Sequence, residues 1–329
     1  MTQTPDQETA RDQTDNEQPD AVVIFAPLPI LTVTVENRSG SADIHVHAGG
    51  QGVWQSRMVS SLGVPVVLCA ATGGETGEVL SHLLPIPDVT ARLVPVSSRN
   101  GAYVHDRRGG SREIIAESPG SPLDRHEIDS LYELTLTEGL NHGWVLLSGP
   151  QEDDVLPPDL YRRLATDLGA NGCQVAADLS GERLEAVLAG NPALIKVSHE
   201  ELLDDGRAKS EDAEDLVDAM RILRKEGAGT VVVSRSGSAP ALALLEDTKR
   251  GEDVVEIVMP KLEPADSAGA GDSMTAGMVA ALAGGRPIRE ALQVGAACGA
   301  LNVVRHGLGT GGARAVDTLA ERVELRPWK

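Results

Sequence analysis

Apolar and polar positions fall into two rhythms along the chain. Ala21–Phe25 is continuously apolar, as in a strand covered on both faces. Thr32–Glu36 and Asp43–His47 alternate, as in strands with one face in water. Gly52 to Leu62 reads as a helix ended by Gly63. Val64–Ala70 is a second buried strand and Glu75–Leu84 a second helix. Val89–Val96, Ala102–His105 and Arg112–Ala116 read as antiparallel strands, the last two joined by the turn from Asp106 to Gly110.

Beyond that point strands and helices alternate. Strands fit Trp144–Leu147, Gln174–Asp178, Leu194–Val197 and Thr230–Ser234. Helices fit Pro158–Leu168, Leu184–Leu188 and Glu211–Glu226. Asp124 followed by Glu127 has the spacing of a capping box, opening a helix to about Leu136. This alternation predicts a mostly parallel sheet with helices on both faces. The antiparallel pieces at 32–47 and 89–116 do not fit such a core. They are expected to pair as a small β-sheet lid over the carboxyl edge of the main sheet. Residues 1–20 hold Asp6, Glu8, Asp12, Asp15, Glu17 and Asp20 against Arg11 alone, which predicts a disordered acidic tail ahead of one domain at 21–329.

Composition narrows the partners. Aromatic residues are 2% of the chain and the net charge is −20. Such a surface repels phosphate backbones and anionic lipid heads and offers few stacking platforms, so no nucleic-acid or membrane partner is expected. Cys69, Cys173 and Cys298 are odd in number and far apart, which disfavours disulfides and a zinc knuckle and points to a cytoplasmic home. No basic patch precedes an apolar run at the start, so no secretory signal is expected. The apolar stretch from Ala21 to Val35 is too short to span a bilayer.

The strongest chemistry lies in Asp266-Ser267-Ala268-Gly269-Ala270-Gly271-Asp272-Ser273, ahead of an Ala-rich helix from Met274 to Ala283. Glycines let the backbone turn sharply and approach a ligand. The helix start then offers free N–H groups to an anion. Such a glycine turn can be a plain helix start with Asp272 as its cap. A carboxylate beside an anion site gains chemical sense if it takes the proton of an attacking hydroxyl while the amides hold the transferring phosphoryl group.

The segment from Asp266 to Val279 resembles the C-terminal motif of the ribokinase-like (PfkB) carbohydrate kinases: Asp-Ser, Gly-Ala-Gly-Asp, three free positions, then Ala276-Gly277. The likeness spans about Val22 to Gly312. It is strongest to the branch of 1-phosphofructokinase and tagatose-6-phosphate kinase, through Gly49-Gly50-Gln51-Gly52, Arg99-Asn100, Leu147-Ser148-Gly149, Asp178-Leu179-Ser180-Gly181 and Lys196 to Glu201. The resemblance implies a three-layer α/β/α sandwich with a β-sheet lid, and ATP- and Mg²⁺-dependent phosphorylation of a sugar hydroxyl, foremost on a hexose phosphate. By the same resemblance Asp272 is the catalytic base and Gly269, Ala270 and Gly271 form the anion hole. Lys196, Ser198, Ser234, Ser236 and Gly237 lie along the nucleotide. Glu201 organises Mg²⁺ through water. Gly49, Gly50 and Trp54 face the acceptor, and Arg38 and Arg99 anchor its phosphate. Exposed lid edges offer a surface for a homodimer.

The chain departs from that branch where it grips sugar hydroxyls. The expected Asp after the first strand is replaced by Ile30 or Thr32, and the expected Asn by Trp54. Ser198 stands in the place of another Asn. Losing hydroxyl-binding groups weakens a hydroxylated ligand. An indole can stack on the apolar face of a sugar, or fill core space. Two alternatives therefore stand beside the hexose-phosphate kinase. One is a weak or inactive regulatory protein that binds sugar phosphate or nucleotide. The other is a kinase for a non-phosphorylated sugar or nucleoside.

Overall fold

The computed structural model describes residues 21–110, 112–236, 239–246, 251–260, 262, 268–304 and 309–328. The acidic tail and Gly237 lie outside the described residues. Ten strands form one sheet: β1 (Val22–Phe25), β4 (Val66–Gly73), β5 (Val89–Val96), β8 (Trp144–Ser148), β9 (Gln174–Asp178), β10 (Leu194–Ser198), β11 (Thr230–Ser234), β12 (Ala241–Leu245), β13 (Asp253–Val258) and β14 (Glu324–Pro327). Their order is β14-β13-β12-β11-β10-β9-β8-β1-β4-β5. Pairing is parallel from β5 through β11 and antiparallel beyond. A four-stranded sheet is built from β2 (Ile30–Arg38), β3 (Ser41–Gly49), β6 (Ala102–Asp106) and β7 (Glu113–Ser118), in the order β3-β2-β6-β7.

Helices cover both faces of the large sheet. On one face α1 (Gln51–Ser61), α2 (Gly74–Leu83), α8 (Ala270–Ala283), α9 (Ile288–Val303) and α10 (Ala313–Ala320) pack around Val22, Ile24, Leu68 and Leu146. On the other, α3 (Arg125–His142), α4 (Pro158–Ala170), α5 (Gly181–Leu188), α6 (His199–Asp204) and α7 (Ala213–Lys225) pack around Val23, Phe25, Val145 and Leu147. Odd and even residues of each central strand thus feed opposite cores, which is why these strands read as unbroken apolar runs. The result is the expected three-layer α/β/α sandwich with a mostly parallel sheet and a small separate sheet. Cys69, Cys173 and Cys298 are buried and unpaired. Among the described residues no helix is long and apolar enough to cross a membrane.

Two expectations need correction. Val89–Val96 is not a lid strand: it pairs in parallel with β4 at the edge of the large sheet. Its alternating pattern reflects one face packed and one bare, and Pro95 is tolerated because it sits on an edge. Nor are the lid strands all antiparallel, since β6 runs parallel to β2. The lid is the two excursions that leave the carboxyl ends of β1 and β5. Asn100 closes its root. The fully buried amide accepts from the Gly73 N–H at 2.8 Å and donates to the Pro29 and Ala71 carbonyls at 2.9 and 3.1 Å. The antiparallel strands β12, β13 and β14 extend the sheet beyond what the pattern had suggested.

The capping box at α3 forms as its spacing predicted. The Glu127 N–H donates to Asp124 Oδ1, and the Asp124 N–H to Glu127 Oε2, both at 2.9 Å. Glu127 also accepts from Ser97 and Ser98, tying the helix start to the chain leaving β5. Burial works against its charge, but hydrogen bonds from Asp124, Ser98 and Ser97 prevail and hold the carboxyl down at about 2.

Candidate active site

Two neighbouring strands place opposite charges in register. Lys196 on β10 is the direct partner of Asp178 at the end of β9, so both side chains leave the same face. Nζ donates to Asp178 Oδ1 at 3.1 Å, with the side chains only 7% and 2% exposed. The other oxygen, Oδ2, accepts the Thr275 hydroxyl of α8 at 2.7 Å and the Gln55 amide of α1 at 3.2 Å. Gln55 in turn accepts from the Ser148 hydroxyl at the end of β8, and the Ser148 carbonyl accepts from Tyr161 at 3.0 Å. One buried carboxylate therefore joins a strand and two helices, with every lone pair it turns inward answered by a donor.

The start of α8 completes the cluster. Gly269 has φ of 69°, a left-handed conformation that an L side chain strains to adopt, and it carries no capping side chain. The first intrahelical bond runs from the Ser273 N–H to the Gly269 carbonyl at 3.0 Å. The N–H groups of Ala270, Gly271 and Asp272 precede it and have no partner within the helix. Gly271 lies against Lys196: a Cβ there would come 2.5 Å from Nζ. A fixed ammonium thus abuts an uncapped helix start, which is a composite site for an anion.

Asp272, in the first turn of α8, faces this point. Desolvation, then the negative charge of Asp178, pushes its carboxyl up to about 7, against the pull of Lys196 and a hydrogen bond from Gln51. Gln51 is itself anchored, accepting the Gly149 N–H at 2.8 Å. For Lys196, burial alone favours loss of the proton. The carboxylates of Asp178, Glu201 and Asp272 outweigh it and hold the ammonium above its ordinary value. Glu201 accepts the Ser198 N–H at 2.7 Å through Oε2, closing the capping box of α6.

Beside this cluster opens a cavity of about 300 Å³ between the carboxyl ends of β1, β8 and β9. Leu28, Ile30, Val53 and Trp54 give it an apolar wall, and Gln51, Gln151, Ser180 and Arg183 supply polar groups. The position left open by the sequence resolves to Ile30. Thr32 is turned into the lid, where its hydroxyl presses on Gly49.

The pfkB family carbohydrate kinase profile matches residues 31–314. The chain belongs to the pfkB family. It is a carbohydrate kinase, and related proteins agree with that placement. It is 26% identical to 1-phosphofructokinase of Bacillus subtilis (strain 168) over 80% of this chain and 84% of that one. It superposes with a TM-score of 0.75 on phosphofructokinase-2 from Escherichia coli in complex with fructose-6-phosphate, at 24% identity, covering 92% of this chain and 99% of that one. Arabidopsis thaliana ribokinase complexed with ribose and ATP gives 0.69 at 20% identity, covering 92% and 99%. The ribokinase-like sandwich is thereby established.

Of the residues singled out from the sequence, this pfkB chain gathers Gly50, Trp54 and Glu201 on the cavity, with Gly49 packed just behind. Gly269, Ala270, Gly271, Asp272 and Lys196 meet at its inner end. Ser198 and Ser234 end adjacent strands in register, and Ser236 is exposed beyond them. Arg99 does not line the cavity. It is exposed at the lid root, donating to the Ser118 hydroxyl at 3.1 Å. Arg38 sits at the far tip of the β2–β3 hairpin, 80% exposed and 3.6 Å from Asp43. Eight residues of strand separate it from Ile30, roughly 26 Å. It cannot reach the cavity of its own chain.

Asp178, Gln51, Gln55, Thr275 and Arg183 were not singled out. Only Asp178 carried a local signal: a carboxylate closing an apolar strand, with a lysine near the end of the next. Lys196→Met should leave Asp178, Glu201 and Asp272 without their shared cation. The expected cost is about 3–5 kcal/mol, read by urea denaturation near neutral pH; an unchanged midpoint would show that the cluster does not depend on Lys196.

Proposed function

We propose that the chain moves the γ-phosphoryl group of ATP to a hydroxyl of a hexose phosphate, with Asp272 as the base. The observation that carries this reading is the raised carboxyl of Asp272 beside the uncapped amides of α8 and the fixed ammonium of Lys196. The acceptor hydroxyl enters from the cavity and gives its proton to the Asp272 carboxylate. Its oxygen bonds to the γ-phosphorus as the bond to the ADP oxygen breaks. The amides of Ala270, Gly271 and Asp272 offset the charge on the transferring group, and Lys196 holds the phosphates toward them. Proton, phosphoryl group and leaving ADP are then all accounted for. The relatives support the acceptor class, being phosphofructokinases by description.

The nucleotide fits along Lys196, Ser198 and Ser234, whose strand ends are neighbours. A Mg²⁺ ion fits at Glu201, which lines the cavity and keeps Oε1 outside its capping box, while Asp178 is already filled by donors. When bound, the metal supplies charge neutralisation on the transferring group. The lid over the cavity excludes water, so that ATP is spared hydrolysis.

One observation favours a second reading. Ile30 and Trp54 replace groups that would grip sugar hydroxyls, so a kinase for a less polar, non-phosphorylated acceptor fits the apolar wall. The intact Asp272 cluster speaks against loss of catalysis, and an ATP-consumption screen over free and phosphorylated acceptors separates these readings.

Self-association is also proposed, through the outer lid face. Ile44 and Val46 of β3 lie beside Val35 and Val33 of β2 and are 65% and 47% exposed. An apolar sheet face of this kind invites a second copy of the same chain. Light scattering should give a dimer, and Ile44→Lys a monomer; a monomeric parent chain would refute it.

Asp272→Asn should lower turnover by roughly 10²–10⁴-fold, with nucleotide binding retained. Turnover of the parent chain should fall as pH drops below about 7, where Asp272 takes up its proton. Its carboxyl rises on folding, so the ionised form opposes the folded state above that pH, and the Asn variant should melt no lower at pH 8. Unchanged turnover would remove the base assignment.

A further inference from the structure

Phosphorylated acceptors carry a dianion, and a dianion does not enter an apolar cavity of a chain with net charge −20 unless a cation meets it. Neither arginine expected to do so is placed for it. Arg38 is at the hairpin tip and Arg99 is turned to the lid root. Lys196 is already committed to Asp178 and lies at the inner end, against Gly271. Among the described residues that line the cavity, Arg183 alone is Arg or Lys.

Arg183 is the third residue of α5 and is 8% exposed. Its position is set rather than free. Nη2 donates to the Glu152 carbonyl at 3.0 Å, in the chain that follows the Gly149–Gln151 wall. A buried guanidinium steadied by one carbonyl presents a planar fork of further donors, the geometry that matches phosphate oxygens. Ser180, next to α5, lines the same cavity, and its hydroxyl is not spent capping that helix.

We infer that Arg183 is the residue that selects the acceptor by its anionic end. The acceptor is a phosphate-bearing alcohol whose phosphate meets Arg183 and whose body lies against Ile30 and Trp54. The hydroxyl to be phosphorylated is then directed to Asp272. This rests on the hexose-phosphate reading above and goes beyond it by naming the anchor. It also accounts for the loss of hydroxyl-gripping groups: charge at one end and apolar contact along the body replace them.

The test is steady-state kinetics on the full chain, with Mg²⁺–ATP and, in turn, fructose 1-phosphate, fructose 6-phosphate, tagatose 6-phosphate and free fructose. Arg183→Gln removes the charge while keeping a donor for the Glu152 carbonyl; Arg183→Lys keeps the charge. For the hexose phosphate that is turned over, Arg183→Gln should raise KM at least about tenfold, with Arg183→Lys recovering part of it. KM for ATP should stay within about twofold, and Arg99→Ala should change the hexose-phosphate KM less than about threefold. Calorimetric binding of the same hexose phosphate, without nucleotide, should weaken in parallel with KM.

An unchanged hexose-phosphate KM in a folded Arg183→Gln chain overturns the anchor while leaving the kinase reading intact. A rise in KM for ATP instead assigns Arg183 to the nucleotide phosphates and overturns it too. If the parent chain turns over only free fructose, the hexose-phosphate reading fails first, and the anchor with it. Should Arg183→Gln fail to fold, the Lys variant decides: a raised melting point with fructose 6-phosphate or fructose 1-phosphate, as in the parent, supports the anchor, and its loss contradicts it.

Discussion

The ammonium of Lys196 is kept charged out of water by carboxylates, and the geometry of the whole site follows from how they reach it. Asp178 comes from the adjacent strand in register, Asp272 from the start of α8 and Glu201 from α6. Burial of a lone ammonium would cost several kcal/mol, and so would burial of the carboxylates without it. The strand ends and the helix start are therefore fixed to one another. The small groups at the helix start make this possible, since any side chain at Gly271 would push the ammonium away.

The same cluster carries an imbalance that chemistry can use. Three carboxylates share one cation, so the last of them keeps its proton to unusually high pH, and the geometry makes that one Asp272. Gln51 and Gln55 adjust this balance without adding charge. One holds Asp272 against the Gly149 turn, and the other holds Asp178 against Ser148. On the cavity side, apolar surface from Ile30 and Trp54 stands where a sugar-gripping carboxylate and amide were expected. The reacting end of this kinase is thus built to its family's plan, while the acceptor end is recoded.

Much of this was legible in the chain itself, where cause and effect are local. The capping box of Asp124 and Glu127, the unbroken apolar strands and the glycine turn before Asp272 each depend on neighbours within a few residues. The edge strand β5 was misread because half-exposure gives one alternating pattern whether a strand borders a large sheet or lies in a small one. The buried network was hidden for another reason. Gln55 meets Asp178 across 123 positions and Thr275 meets it across 97, and no periodicity records such contacts. Arg183 read as one more helix-surface arginine, since its burial comes from the turn after β8 folding over it.

The central claim is that the phosphoryl group passes at the start of α8, between Lys196 and Asp272. The most direct measurement is a crystal structure of the chain with Mg²⁺ and a non-hydrolysable ATP analogue. The terminal phosphate is predicted within hydrogen-bond distance of the Gly271 and Asp272 N–H groups, with the Asp272 carboxylate open to the cavity. A terminal phosphate docked away from that helix start would contradict the account.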